Sequence, residues 1–136
     1  MVENVSATET WRALRENPHA QIVDVRTEAE WTFVGVPDVT EAGKELALVP
    51  WQNYPSMQVN AAFFDRLREV GAVPESHLYF LCRSGARSTA AAQAAIGQGF
   101  PNAYNIIDGF EGPPDADGHR GTTAGWKAEG LPWRQR

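Results

Sequence analysis

Residues 77–82, "HLYFLC", form a nearly continuous apolar run. A strand with one wet face alternates apolar and polar residues. A run without that alternation suits a strand buried on both faces, and such strands belong to parallel sheets. A tight turn with Gly85 follows, and residues 87–98 are apolar almost all round and rich in alanine. That composition predicts a helix packed close against the sheet, with Gly99 and Pro101 as stop signals. Strand, turn and closely packed helix together fix the fold class as α/β.

The rest of the chain supplies partners. "SATETW" carries a capping box, Ser6 with Glu9, and Ala7, Trp11 and Leu14 follow at helical spacing. Residues 20–26, "AQIVDVR", read as a β-branched strand, and "TEAEW" after it as one helical turn. Residues 45–51, "ELALVPW", read as a short strand stopped by Pro50. "NAAFFDRLREVG" puts Phe63, Phe64, Leu67 and Val70 on one helical face and ends at Gly71. Residues 103–108, "AYNIID", read as a further strand, and the Gly- and Pro-rich residues 109–125 as a long ordered loop. Strands alternate with helices, which predicts one domain over residues 1–136 with a mostly parallel sheet.

Composition excludes several classes. The formal charge of −5 argues against a nucleic-acid partner, which wants a basic face. No apolar run approaches the roughly 20 residues that span a bilayer, so no membrane partner is expected. The start "MVENVSATETW" lacks the basic and apolar regions of a secretory signal. With a single cysteine no internal disulfide forms, and the expectation is a cytoplasmic protein.

That cysteine, Cys82, stands at a strand end, where ligands of parallel sheets bind. In the turn "CRSGARS", Gly85 permits a positive φ, and successive backbone N–H groups can converge on an anion. The helix that follows adds positive potential. These surroundings favour the thiolate. Arg83 and Arg87 supply donors suited to an oxyanion, and Ser84 and Ser88 supply hydroxyls. The result is a nucleophilic thiolate beside a seat for a second negative group. The bland alternative, a buried cysteine acting as a small hydrophobe, explains neither the two arginines nor the glycine.

At these residues the sequence resembles the rhodanese family. The loop motif Cys-x-x-Gly-x-Arg/Thr/Ser, often with Ser next, is matched by Cys82-Arg83-Ser84-Gly85-Ala86-Arg87-Ser88. An early strand ends in Asp24-Val25-Arg26, a later one runs into Asp108-Gly109-Phe110-Glu111-Gly112, with Trp126 displaced downstream, and the closing "GLPW" also agrees. The resemblance implies a five-stranded parallel sheet flanked by helices. It also implies a sulfurtransferase: Cys82 takes the outer sulfur of a donor such as thiosulfate, forms a persulfide and passes it to a thiol or cyanide. Arg83, Ser84, Gly85, Ala86, Arg87 and Ser88 would bind the substrate. No cofactor and no metal is implied. The partners would be a small anionic sulfur donor or a protein persulfide donor or acceptor. The second reading is a sulfur-carrier or protein-binding module with poor turnover.

Asp24 and Arg26 are expected to support the loop through an ion pair or hydrogen bonds. A phosphatase or arsenate reductase is disfavoured: only residues 83–86 separate Cys82 from Arg87, where related phosphatases have five, and Leu81 replaces the His common before their cysteine. Two departures from the family stand out. "FVGVPDV" lacks the usual His, and residues 113–125 are inserted. The insertion either carries His119 and Arg120 toward Cys82 or is a plain surface loop. "DADG" resembles the start of a calcium loop, but its twelfth position is Trp126 rather than Glu. The three His show no zinc-ligand spacing. Trp31, Trp51 and Trp126 are candidates for core anchors or for a wall of the pocket.

Overall fold

Five parallel strands form the main sheet, in the order Glu3–Val5, Ala103–Ile106, His77–Leu81, Ala20–Asp24, Ala47–Leu48. The computed structural model describes residues 2–135. In chain order the sheet strands are β1 (Glu3–Val5), β2 (Ala20–Asp24), β4 (Ala47–Leu48), β7 (His77–Leu81) and β8 (Ala103–Ile106). Helices α1 (Ala7–Glu16), α2 (Glu28–Phe33), α3 (Phe63–Glu69) and α4 (Ala86–Gly97) make the crossovers, with a 3₁₀ turn at Thr40–Ala42. Two small antiparallel ribbons complete the fold: β3 (Val36–Pro37) with β9 (Trp133–Arg134), and β5 (Gln52–Asn53) with β6 (Gln58–Val59).

Strand β7 is central, hydrogen-bonded to β2 on one side and β8 on the other. Its alternate residues feed two cores. Leu78, Phe80 and Cys82 join Val23, Phe63, Leu67, Ala91, Ala92 and Ala95 on the α3–α4 face. Tyr79 and Leu81 join Ile22, Leu14, Ile106, Phe110 and Trp126 on the α1 face. This is why the run lacks polar alternation. Each large side chain so buried contributes roughly 1.5–3 kcal/mol. The three buried alanines of α4, Ala91, Ala92 and Ala95, let the helix axis approach the sheet closely, as its composition predicts.

Two capping boxes set helix starts. Ser6 accepts from the Glu9 N–H at 2.9 Å while Glu9 accepts from the Ser6 N–H at 3.1 Å. Thr27 and Glu30 repeat the pattern at the start of α2. One sequence expectation needs correction, and two positions are added or settled. The polar triplet Glu3–Val5 is a strand, paired at the sheet edge with Tyr104, Asn105 and Ile106. Val70 does not share the buried face of α3; it lies at the helix C-cap and is exposed, because the helix ends one residue earlier. Of the two readings of Trp126, the core anchor holds: it is fully buried, donates its indole N–H to the Pro132 carbonyl at 2.7 Å and meets Trp11 edge-on.

The sheet order places the site. From β2 the chain moves outward to β4; from β7 it moves outward to β8 on the opposite side. The carboxyl ends of β2 and β7 therefore flank a topological switch point, where α/β sheets bind ligands. Residues 24–26 leave one end and Cys82 leaves the other.

Candidate active site

Cys82 is the first residue beyond β7, and it is only 1% exposed. Its Sγ accepts the Gly85 N–H at 3.1 Å and lies 3.2 Å from Ser88 Oγ. Gly85 makes this turn with φ at +117°, in the region that side chains resist, and it caps α4. The Ser88 hydroxyl is also 2.5 Å from Asn105 Oδ1 on β8 and 3.1 Å from the Gly85 carbonyl. Asn105 in turn donates to Asn4 Oδ1 on β1 at 3.0 Å. A polar chain thus runs from the thiol through two strands to the sheet edge. Asn4 and Asn105 also line a surface depression of about 410 Å³ behind the loop, with Ser84 and Gly85.

The turn after β8 clamps the loop from the other side. The Phe110 N–H donates to the Cys82 carbonyl at 2.8 Å, and those of Glu111 and Gly112 to the Arg83 carbonyl at 3.0 and 3.1 Å. Gly109 (φ +57°) lies so close that a Cβ there would strike the Cys82 and Arg83 carbonyls.

Arg83, Ser84 and Ala86 are exposed on the loop. Arg87 is not free. Its Nη1 and Nη2 donate to the two carboxylate oxygens of Glu30 at 2.6 and 2.9 Å, with both side chains about four-fifths buried. Burial pulls the Glu30 carboxyl upward, but the bonds from Arg87 and Thr27 outweigh it and hold the group below its ordinary value. The same pair of bonds raises Arg87.

Asp24 and Arg26 form a fully buried ion pair. Arg26 Nε donates to Oδ1 at 3.0 Å and Nη2 to Oδ2 at 2.7 Å. Nη2 also donates to the Gly35 carbonyl at 2.7 Å, and the guanidinium sits 4.4 Å over the Phe110 ring. Arg26 Nη1 has no hydrogen-bond partner among the described residues, so the ring face is what offsets its burial. Lys127 reaches the other aromatic surfaces, 5.2 Å from Phe110 and 4.1 Å from Trp133, and desolvation lowers its ammonium.

The inserted residues make no hydrogen bond to the thiol. Arg120 turns back to the Gly112 carbonyl at 2.6 Å, and His119 is exposed. The Asp115 carboxylate is taken by the Thr122 hydroxyl and by the His119 and Asp117 N–H groups, which lower its pKa below the usual range. Among the described residues no three His, Cys, Asp or Glu converge as metal ligands, and no helix is long and apolar enough to cross a membrane.

The sequence named Cys82 and its loop but missed Glu30, Asn105 and Asn4. Glu30 carried a signal as the fourth residue of the Thr27 capping box. Nothing in the sequence linked it to Arg87, 57 positions away.

Known proteins resemble this chain in sequence and fold. The solved structure titled Rv0390 from M. tuberculosis is 46% identical, with a TM-score of 0.89 over 99% of this chain and 98% of that one. An uncharacterized protein of Rickettsia prowazekii is 37% identical over 98% of both chains. A chloroplastic protein of Oryza sativa named thylakoid rhodanese-like is 32% identical over 95% of this chain, which spans only 24% of it. The polysulfide-sulfur transferase homodimer of Wolinella succinogenes, 24% identical with a TM-score of 0.67 over 99% of this chain and 80% of that one, shares the fold. The fold and these relatives mark the chain as a rhodanese-like domain. Within that class, the chain belongs to the family of the STR4 middle domain, whose model matches residues 2–136.

Proposed function

We propose that the chain is a sulfurtransferase that carries sulfur as a persulfide on Cys82. The observation that bears most weight is the seat of the thiol. Its sulfur lies at a sheet switch point, under the Gly85 N–H and beside the Ser88 hydroxyl. In the first half-reaction the Cys82 thiolate attacks the outer sulfur of thiosulfate. The new S–S bond forms as the old one breaks, and sulfite leaves with the electron pair. In the second, an acceptor thiolate or cyanide attacks the outer sulfur and returns Cys82 as thiolate. No oxidant or cofactor is needed. The Gly85 N–H stabilises the negative sulfur, joined by the Ser88 hydroxyl when its single proton turns from Asn105 to the sulfur, and Arg83 offers the incoming anion an exposed charge. The Asp24–Arg26 pair holds the end of β2 against the turn at Phe110, which itself holds Cys82.

Intact-protein mass spectrometry tests it. Incubation with thiosulfate is expected to add one sulfur, about 32 Da, to Cys82, and cyanide or a thiol to remove it. No adduct, either from thiosulfate or from a cysteine desulfurase, would sink the assignment.

A further inference from the structure

The loop carries fewer free positive charges than its sequence promises. Arg83 and Arg87 are its two cations, and Glu30 holds both terminal nitrogens of the second. Glu30 is fixed in turn: Oε1 also accepts from the Thr27 N–H and hydroxyl at 3.2 and 3.1 Å. The carboxylate is thus built into the start of α2 and does not wander. Asp24 and Arg26 cancel each other below the site. Of the loop's two cations, only Arg83 is left to meet an incoming donor, and a fixed carboxylate already holds Arg87.

We propose that Glu30 sets donor specificity. By occupying Arg87 it biases the Cys82 loop against dianionic donors such as thiosulfate and toward persulfides, which carry at most a single charge. A dianion must either displace Glu30 from Arg87 or be held by Arg83 and backbone donors only. A persulfide of the form R–S–SH needs less compensation. The Cys82 thiolate attacks its terminal sulfur, R–S⁻ leaves with the bonding pair, and the proton stays on the transferred sulfur. The proposal rests on the sulfurtransferase reading of Cys82.

The test compares donors that differ in charge. Purified wild type and Glu30→Gln are assayed with thiosulfate and with 2-hydroxyethyl persulfide. Gln keeps the capping box, since Gln serves that position as Glu does, and thermal melting checks the fold. The thiosulfate KM is expected to fall roughly fivefold in E30Q, and the thiosulfate-to-persulfide ratio of kcat/KM to rise by a similar factor. Arg87→Gln, measured in parallel, leaves Glu30 uncompensated and is expected to raise the thiosulfate KM by the larger factor. Equal changes for both donors in both variants would overturn the proposal and leave the pair a structural clasp. A donor-independent failure to load Cys82, in wild type as well, would instead remove the sulfurtransferase reading.

Discussion

The Cys82 carbonyl accepts the Phe110 N–H at 2.8 Å, so the loop that presents the thiol is bonded to the turn that ends β8. Gly109 makes that contact possible, because it has no Cβ to meet the Cys82 and Arg83 carbonyls. Gly109→Ala adds a methyl against backbone and also holds a side chain at positive φ. The expected cost is about 3 kcal/mol or more, read as a lowered urea midpoint. A variant as stable as wild type would mean the two turns separate without penalty.

Cys82→Ser is expected to abolish sulfur loading while the fold survives. The smaller hydroxyl keeps an acceptor for the Gly85 N–H, and the loss of the thiol's packing costs about 1–2 kcal/mol. Circular dichroism reports the fold and the mass of the sulfur-treated protein reports the chemistry. A cooperative melt with persistent loading at another residue would contradict the assignment.

Ser88→Ala removes the hydroxyl that lies between the Cys82 sulfur, the Gly85 carbonyl and Asn105. It leaves the Asn105 carboxamide oxygen buried without that partner, at about 1–3 kcal/mol. Alkylation of Cys82 by iodoacetamide is expected to slow as well, since a thiolate there loses a hydroxyl able to turn its proton from Asn105 to the sulfur. A variant that loses stability but alkylates at the wild-type rate would confine Ser88 to a structural role.

Asp24→Asn strips the negative partner from Arg26, which is fully buried. An uncompensated buried charge costs about 3–5 kcal/mol, far more than the intact pair contributes over an apolar substitute. Replacing both residues together, Asp24→Leu with Arg26→Met, is therefore expected to recover most of that loss in denaturant titration. Recovery would fail if the pair's further bond to Gly35 dominates.

The Glu30–Arg87 clasp should respond to acid. The folded Glu30 carboxyl is held below its ordinary value of 4.5. A group depressed in this way adds stability that is full above the unfolded value and is lost as pH falls through the folded one. The stability difference between wild type and E30Q is expected to be constant from about pH 7 down to about pH 5 and to shrink by about pH 3. Urea titrations across that range measure it, and a difference that grows on acidification would reverse the sign argued here.

Much of this was readable because it is local. The apolar run at β7, the glycine in the loop and the alanines of α4 sit side by side, and their burial follows from their own neighbours. What stayed hidden depends on pairing across long separations. Glu3–Val5 has neither length nor alternation to announce a strand, and it becomes one only because Tyr104 to Ile106 offer an open sheet edge. Ribbon β3–β9 joins Val36 to Arg134, and no pattern in either dipeptide requires the other. The two loop arginines look equivalent in sequence. Only the position of α2 makes one a bound partner and leaves the other exposed.

The chain of side chains from Asn4 through Asn105 and Ser88 to Cys82 gives the three-residue edge strand a share in the chemistry. Edge strands are where sheets fray first. Each time β1 lifts away, Asn105 loses the acceptor that fixes its carboxamide, and Ser88 is free to turn its proton elsewhere. By this route the seating of the outermost strand would be felt at the thiol.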